Sequence, residues 1–235
     1  MANIQGNAYA LTILSPIIEG HFNEIAYSDE IKARLEQWNM LPNSPMTRVP
    51  QTYLCRYFVL DDVVIQSTPG TDIFGPIIDL LSIFSDKVRR GALPQEDHLA
   101  SKYLVFSTNF HGELEPYLRA MWNAIGKEII HVWGFCYGFK LVHDADSFVT
   151  YMKKCQLTAS LFFVGSNDES LDEQLKALYL KQQFTNFALR TQGMPVAELQ
   201  KEFNDFILRV EPANVTGPSW KAGQYRLDQH ERTAL

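Results

Sequence analysis

Two runs limit what this chain can fold into. Residues 51–62 (QTYLCRYFVLDD) and 102–111 (KYLVFSTNFH) are short, aromatic and rich in strand-forming residues, the pattern of β-strands. Each also carries polar residues for which a plain core strand has no use. Arg56 stands in the middle of the first. Ser107, Asn109 and His111 close the second, just before Glu113, Leu114 and Glu115. Together they predict a sheet with a polar site at one end.

Strand and helix signals alternate around these runs. Residues 8–15 (AYALTILS) read as a strand bounded by Pro16. Ser28, Asp29 and Glu30 offer a helix start, and Ile31, Leu35 and Trp38 follow at helical spacing. Pro42, Pro45 and Pro50 break the chain before a strand over 52–60. After the strand at 102–109, Leu114, Leu118, Met121, Trp122 and Ile125 mark an amphipathic helix. Glu113 and Glu115 suit its N-terminus, and Gly126 predicts its stop. Residues 128–139 (EIIHVWGFCYGF) read as a fourth strand, with Gly134 and Gly138 marking a bulge. The resulting β-α-β-β-α-β order is the ferredoxin-like unit, so an α+β fold with an antiparallel sheet is expected.

Residues 63–101 interrupt this order between the second and third strands. They predict a turn at Ser67 to Gly70, a short helix over 77–84 and a loop over 89–97, acting as a lid or as cover for a sheet face. A helix over 144–155 and a fifth apolar strand over 159–164 follow the core. Leu171, Leu175, Leu178, Tyr179, Phe184 and Phe187 then recur on a helical period, and Pro195 opens a last helix through Leu199, Phe203, Phe206 and Ile207. The expected organisation is one α+β domain with a C-terminal helical extension over 1–210 and a polar tail over 211–235, pinned by Trp220 and Tyr225.

Composition narrows the function classes. The 235 residues are 46% hydrophobic, enough for a substantial core. The net charge of −6, with Lys87, Arg89 and Arg90 the only compact basic cluster, argues against a nucleic-acid surface. No window approaches the roughly 20 apolar residues of a membrane span, and the N-terminal residues lack a secretory pattern. Cys55, Cys136 and Cys155 leave one thiol unpaired whatever the pairing, which fits reduced thiols and a cytoplasmic location. The histidines at 21, 98, 111, 131, 143 and 230 have no local metal-ligand spacing, and no metal site is expected.

The two opening runs carry a resemblance. VPQTYLCRYFVLDD and KYLVFSTNFHGELEPYL resemble segments of a group of poorly characterised bacterial proteins with a ferredoxin-like core of the dimeric α+β-barrel type. Pro50, Thr52 and Arg56 match the first pattern, with Tyr53 where that group carries histidine. Asn109, Phe110 and Gly112 match the second, with His111 in place of an aspartate. The resemblance implies the ferredoxin-like fold and a homodimer. More distantly, dye-decolourising peroxidases, chlorite dismutases and aldoxime dehydratases share the core and bind haem, so haem is the cofactor this likeness implies.

The residues themselves suggest a small-molecule site. Alternation puts Leu54, Arg56, Phe58 and Leu60 on one strand face, where a guanidinium among apolar neighbours needs a partner. That partner is a substrate carboxylate, developing negative charge in a reaction, or an internal acid such as Asp61, Asp62 or Glu115; the other reading is an edge position with a solvated head. Asn109 and His111 sit at a strand end before a helix, where His111 is an acid or base, a metal ligand, or simply a loop histidine in a turn set up by Gly112. His131 and Trp133 share a face of the fourth strand, which either lines an aromatic pocket or is core. The expected site therefore has Arg56, His111 and His131 as catalytic residues and Tyr53, Asn109 and Trp133 against substrate. Its function is that of a small-molecule enzyme or accessory factor in a biosynthetic pathway. A haem-binding peroxidase-like protein and a non-catalytic dimerisation module are the alternatives.

Overall fold

A computed structural model describes residues 3–62, 65–66, 96–97 and 99–224. The turn and helix expected at 67–84, the basic cluster at 87–90, His98, Tyr225 and His230 lie outside the described residues.

The chain opens as a hairpin of β1 (Ile4–Gln5) and β2 (Ala8–Pro16), paired Gln5 to Ala8 around a two-residue Gly6-Asn7 loop. Gly6 has φ +59, the first-position conformation that favours glycine in such loops. A small ribbon of β3 (His21–Phe22) and β4 (Ile25–Ala26) leads into α1 (Tyr27–Met40), which buries Ile31 and Trp38. Ser28 is buried within its first turn and does not cap it. A single 3-10 turn, Pro45–Arg48, precedes β5 (Thr52–Leu60). The ends of the insertion meet as β6 (Ile65–Gln66) and β7 (Glu96–Asp97). Then follow β8 (Tyr103–His111), α2 (Leu114–Trp133), α3 (Ala145–Cys155) and β9 (Gln156–Leu157). Two long helices, α4 (Leu171–Arg190) and α5 (Val196–Val210), complete the fold.

The fold is α+β with an antiparallel main sheet. Its strands run β1, β2, β8, β5, with β9 also paired to β2, at Thr12 and Ile13. One face is covered by α1, α2 and α3. Leu11, Ile13, Leu104, Phe106 and Phe110 pack there against Leu118, Met121, Ile125, Ile129 and Phe148. Aromatic rings lock this layer: Tyr57 stacks on Phe106 at 4.6 Å, Trp133 meets both edge-on, and Phe110 stacks on Tyr117 at 3.7 Å.

Residues 128–139 are not a strand. The apolar helical period continues from Leu118, Met121 and Ile125 through Ile129 and Val132, all buried, so α2 runs on to Trp133. Aromatic and β-branched residues suggested a strand, but burial at helical spacing decides the outcome. Gly126 does not end the helix; the backbone departs from helical geometry one residue earlier, at Ile125 (φ −139, ψ 27). The stop is at Gly134, whose N–H still bonds to Ile130 O at 2.9 Å. The helix expected over 144–155 forms, closed by a capping box between Asp144 and Ser147.

Residues 159–164 are not a strand either. β2 already carries β1 and β9 on its outer edge, so no backbone edge remains for them. They are tied by side chains instead: Ala159 N–H donates to Asn3 Oδ1 and Val164 N–H to Gln5 Oε1. Leu161 and Phe163 are left exposed.

α4 and α5 form a second, small core around Phe187, Phe206 and Val210. Lys176 is buried beside it and donates to Val210 O at 2.7 Å and Pro218 O at 2.8 Å, tying the end of α5 and the following segment to α4. Trp220 is half-buried in that segment. Lys176→Met keeps the packing volume but removes both bonds, at a cost of about 2 kcal/mol. Because the two cores are separate, amide exchange should rise in α4, α5 and 211–220 while β2 and β8 keep their protection. Equal loss of protection in both regions would show one cooperative core instead.

Candidate functional site

The alternation of β8 divides it into two rows. Leu104, Phe106, Thr108 and Phe110 point into the helical layer and are buried, while Ser107, Asn109 and His111 point to the opposite face and are half-exposed. Register sets Asn109 between Ala10 and Leu54, Ser107 between Thr12 and Arg56, and His111 beside Ala8.

At the start of β5 the pairing slips. Thr52 opposes Phe110 and Leu54 opposes Asn109, so Tyr53 is the extra residue of a β-bulge. Bulges re-aim side chains, and this one sends the Tyr53 hydroxyl to Glu169 O at 2.7 Å and to within 3.2 Å of His111 Nδ1. The bulge is held from below, where Thr108 Oγ1 donates to Leu54 O and the Tyr117 hydroxyl meets Thr52 and Thr108. Just before it, Gln51 takes a left-handed φ of +60, rare for a residue with a side chain. Its side chain is fastened to the start of α4: Oε1 accepts from Leu171 N–H, and Nε2 donates to Asp172 Oδ2.

His111 Nδ1 lies 2.9 Å from Asp168 O. A carbonyl only accepts, so Nδ1 carries the proton and Nε2 of the neutral ring is left with its lone pair. The Asp168 side chain reaches the other way, accepting from Asn7 N–H at 2.7 Å. That bond holds its carboxyl below the ordinary 3.8. Asp168 thus clasps three segments: the β1–β2 loop, the end of β8 and the entry to α4. Next to it, the adjacent Glu173 carboxylate raises the Glu169 carboxyl above its usual range, and the Ser170 hydroxyl lowers that of Glu173. Burial, with Asp168 and Glu169 beside it, raises Tyr53.

Under this clasp lies a cavity of about 180 Å³, floored by Ala8, Leu54 and Asn109, bordered by Tyr53 and Gln174, and roofed by 162–167. The structure therefore brings together Tyr53, Asn109 and His111. It does not bring the other expected residues to them. Arg56 is exposed on β5 opposite Ser107, the edge position with a solvated head that is one of its two readings; the face carrying Leu54, Arg56 and Phe58 is the open one. His131 and Trp133, two residues apart, would share a strand face, but on a helix they point about 200° apart. His131 is exposed, while Trp133 is fully buried and donates to Ser15 Oγ.

Gln51, Asp168 and Glu169 were missed in the sequence. A Gly-Asn loop at 6–7 and the Ser170-x-x-Glu173 capping box, which sets the start of α4, were the local signals available. Haem does not fit this site. Ligand pockets of that class need several hundred Å³, the cavity has about 180 Å³ and is not lined by His111, and His21, His131 and His143 are exposed. Among the described residues no three His, Cys, Asp or Glu side chains are grouped to hold a metal ion, and no helix is long and apolar enough to cross a membrane.

The clasp can be opened without touching the cavity. Asp168→Ala should raise amide exchange over 159–169 by about ten-fold, the worth of one hydrogen bond to a charged group, with the sheet unchanged. Gly6→Ala should do the same, because a Cβ there would stand 2.2 Å from Asp168 Oδ2 at a left-handed φ. Since the folded carboxyl is depressed, the clasp is intact above 3.8 and is lost as pH falls through the lower folded value. The Asn7 amide resonance, followed through an acid titration, should move in that window and be flat in Asp168→Ala.

No family model, no curated protein and no solved structure matches this chain.

Proposed function

We propose that this protein binds a small polar molecule in the cleft between the open sheet face and the 162–167 roof, on a ferredoxin-like core. The strand order β9, β2, β8, β5, with α1 joining the first pair and α2 and α3 the second, supports the β-α-β-β-α-β reading. The supporting observation for the site is that Tyr53, from a bulge, and Asn109, near a strand end, line one cavity, with His111 against the Tyr53 hydroxyl.

The chemistry follows from the groups. Asn109 offers an amide donor and acceptor to a carbonyl, carboxylate or hydroxyl on the ligand. His111, fixed as the Nδ1–H tautomer, accepts a proton at Nε2. Tyr53 keeps its proton and acts as an orienting hydroxyl. At about 180 Å³ the cavity holds the volume of roughly six waters, so the ligand is a compact metabolite-sized molecule. Arg56 and Trp133 take no part in this cleft.

A library of small amides, hydroxy acids and carboxylic acids, screened by amide chemical shifts, tests this. Hits should move Asn109 and residues 162–167, and Asn109→Leu should weaken them about ten-fold or more. His111→Gln should reduce turnover of any substrate far more than affinity for it. Hits that map elsewhere, or that bind Asn109→Leu equally well, would remove the proposal.

A further inference from the structure

A groove larger than this cleft lies elsewhere on the sheet. It runs along the outer edge of β5, between that strand and α1, with a volume of about 470 Å³. Leu35, Trp38, Met46 and Tyr57 give it an apolar lining, and Glu36 and Arg56 stand exposed at its rims.

β5 is the end strand of the main sheet, and none of the described residues pairs with its outer edge. An edge strand turns alternate N–H and C=O groups outward, ready to pair with another strand. Protection usually comes from shortness, proline, charged side chains or bulges; β5 has one bulge, at its start, and one charge, Arg56. β5 has nine residues, none of them proline or lysine, and leaves Leu54 and Phe58 half-exposed. A long open edge running beside a side-chain groove is the geometry of peptide capture by strand addition, in which the backbone gives affinity and the groove selects alternate side chains.

Charge decides the occupant. Arg56 is the middle residue of β5 and makes no ion pair or hydrogen bond among the described residues. A second copy of β5 (TYLCRYFVL) brings no carboxylate to it in any register, and the centred antiparallel register sets Arg56 against Arg56, which is unfavourable. Asp61, just beyond the strand, is already bound by Lys32 and Lys102. From the edge and the arginine left unpaired among the described residues and the apolar groove beside them, we infer that β5 and α1 form a docking site for an extended segment of another protein, with apolar residues entering the groove and an Asp or Glu meeting Arg56. This site is separate from the Tyr53–Asn109–His111 cleft and stands or falls independently of it.

The test is selection of random linear peptides displayed on phage against the whole chain, with Arg56→Glu in parallel. Selected peptides should alternate apolar residues around an Asp or Glu. They should shift the amides of β5 and α1 and bind Arg56→Glu at least about ten-fold more weakly, the size expected for a charge-assisted bond. Selection on Arg56→Glu should replace the acid with Lys or Arg. A lone charge on an edge that merely keeps two edges apart predicts the opposite: no enrichment on the native chain, and self-association of the uncharged Arg56→Ala variant through β5. Either result overturns the proposal, as does enrichment of peptides indifferent to Arg56→Glu.

Discussion

The architecture depends on β8 being paired on both sides and covered by helices on one. Its nine residues are matched to β2 without interruption and to β5 with one slip. Leu104, Phe106 and Phe110 therefore anchor the helical layer, while Ser107, Asn109 and His111 are delivered to the other face in the same stroke. The period of two in a strand makes the two roles inseparable: a one-residue slip would bury the polar row and expose the aromatic one. Thr108 is the one polar residue on the buried row, and it is satisfied by Leu54 O and the Tyr117 hydroxyl.

What could be read from the sequence follows from this division. Strands β2, β5 and β8 were legible because each alternates over nine residues, long enough for the pattern to be unambiguous. The first helix was legible from the spacing of Ile31, Leu35 and Trp38, although Ser28 does not cap it. The error over 128–139 arose where one residue set satisfied both periods: Ile129 and Val132 suit a strand by type and a helix by spacing, and only the neighbouring Leu118, Met121 and Ile125 break the tie. The apolar run at 159–164 misled for a different reason. Strand formation needs a free edge, and whether β2 has one is settled by the distant pairings of β1 and β9.

The candidate site was half legible for the same reasons. Asn109 and His111 are on the open face by simple alternation from Phe106 and Phe110. Tyr53 reaches them only through a bulge, and bulges leave little trace in a single sequence. Arg56 could be read either as a ligand clamp or as a solvated edge residue, because its apolar neighbours Leu54 and Phe58 suggested a buried face. Apolar residues on an open strand face are common enough that they do not by themselves signify burial, and here the core side of β5 is Cys55, Tyr57 and Val59. Burial pushes the Cys55 thiol up to about 11, as expected of a packing residue and not of a nucleophile.

The left-handed Gln51 joins these elements. A residue with a side chain holds such a φ only where its surroundings over-determine it. Here its carbonyl accepts from His111 N–H, and its side-chain amide both accepts from and donates to the first turn of α4. The conformation therefore sets three things at once: the direction of the chain into the Tyr53 bulge, the height of the β8 end, and the anchoring of α4 beside the roof. Asp168 closes the same ring from the other side, through Asn7 and His111. The cleft is thus framed by backbone and amide bonds that carry no charge of their own, apart from the carboxylates of Asp168 and Asp172. Its polar side chains are positioned by the fold's strained corner, which is where a binding site can be pre-organised without drawing on the packing of the core.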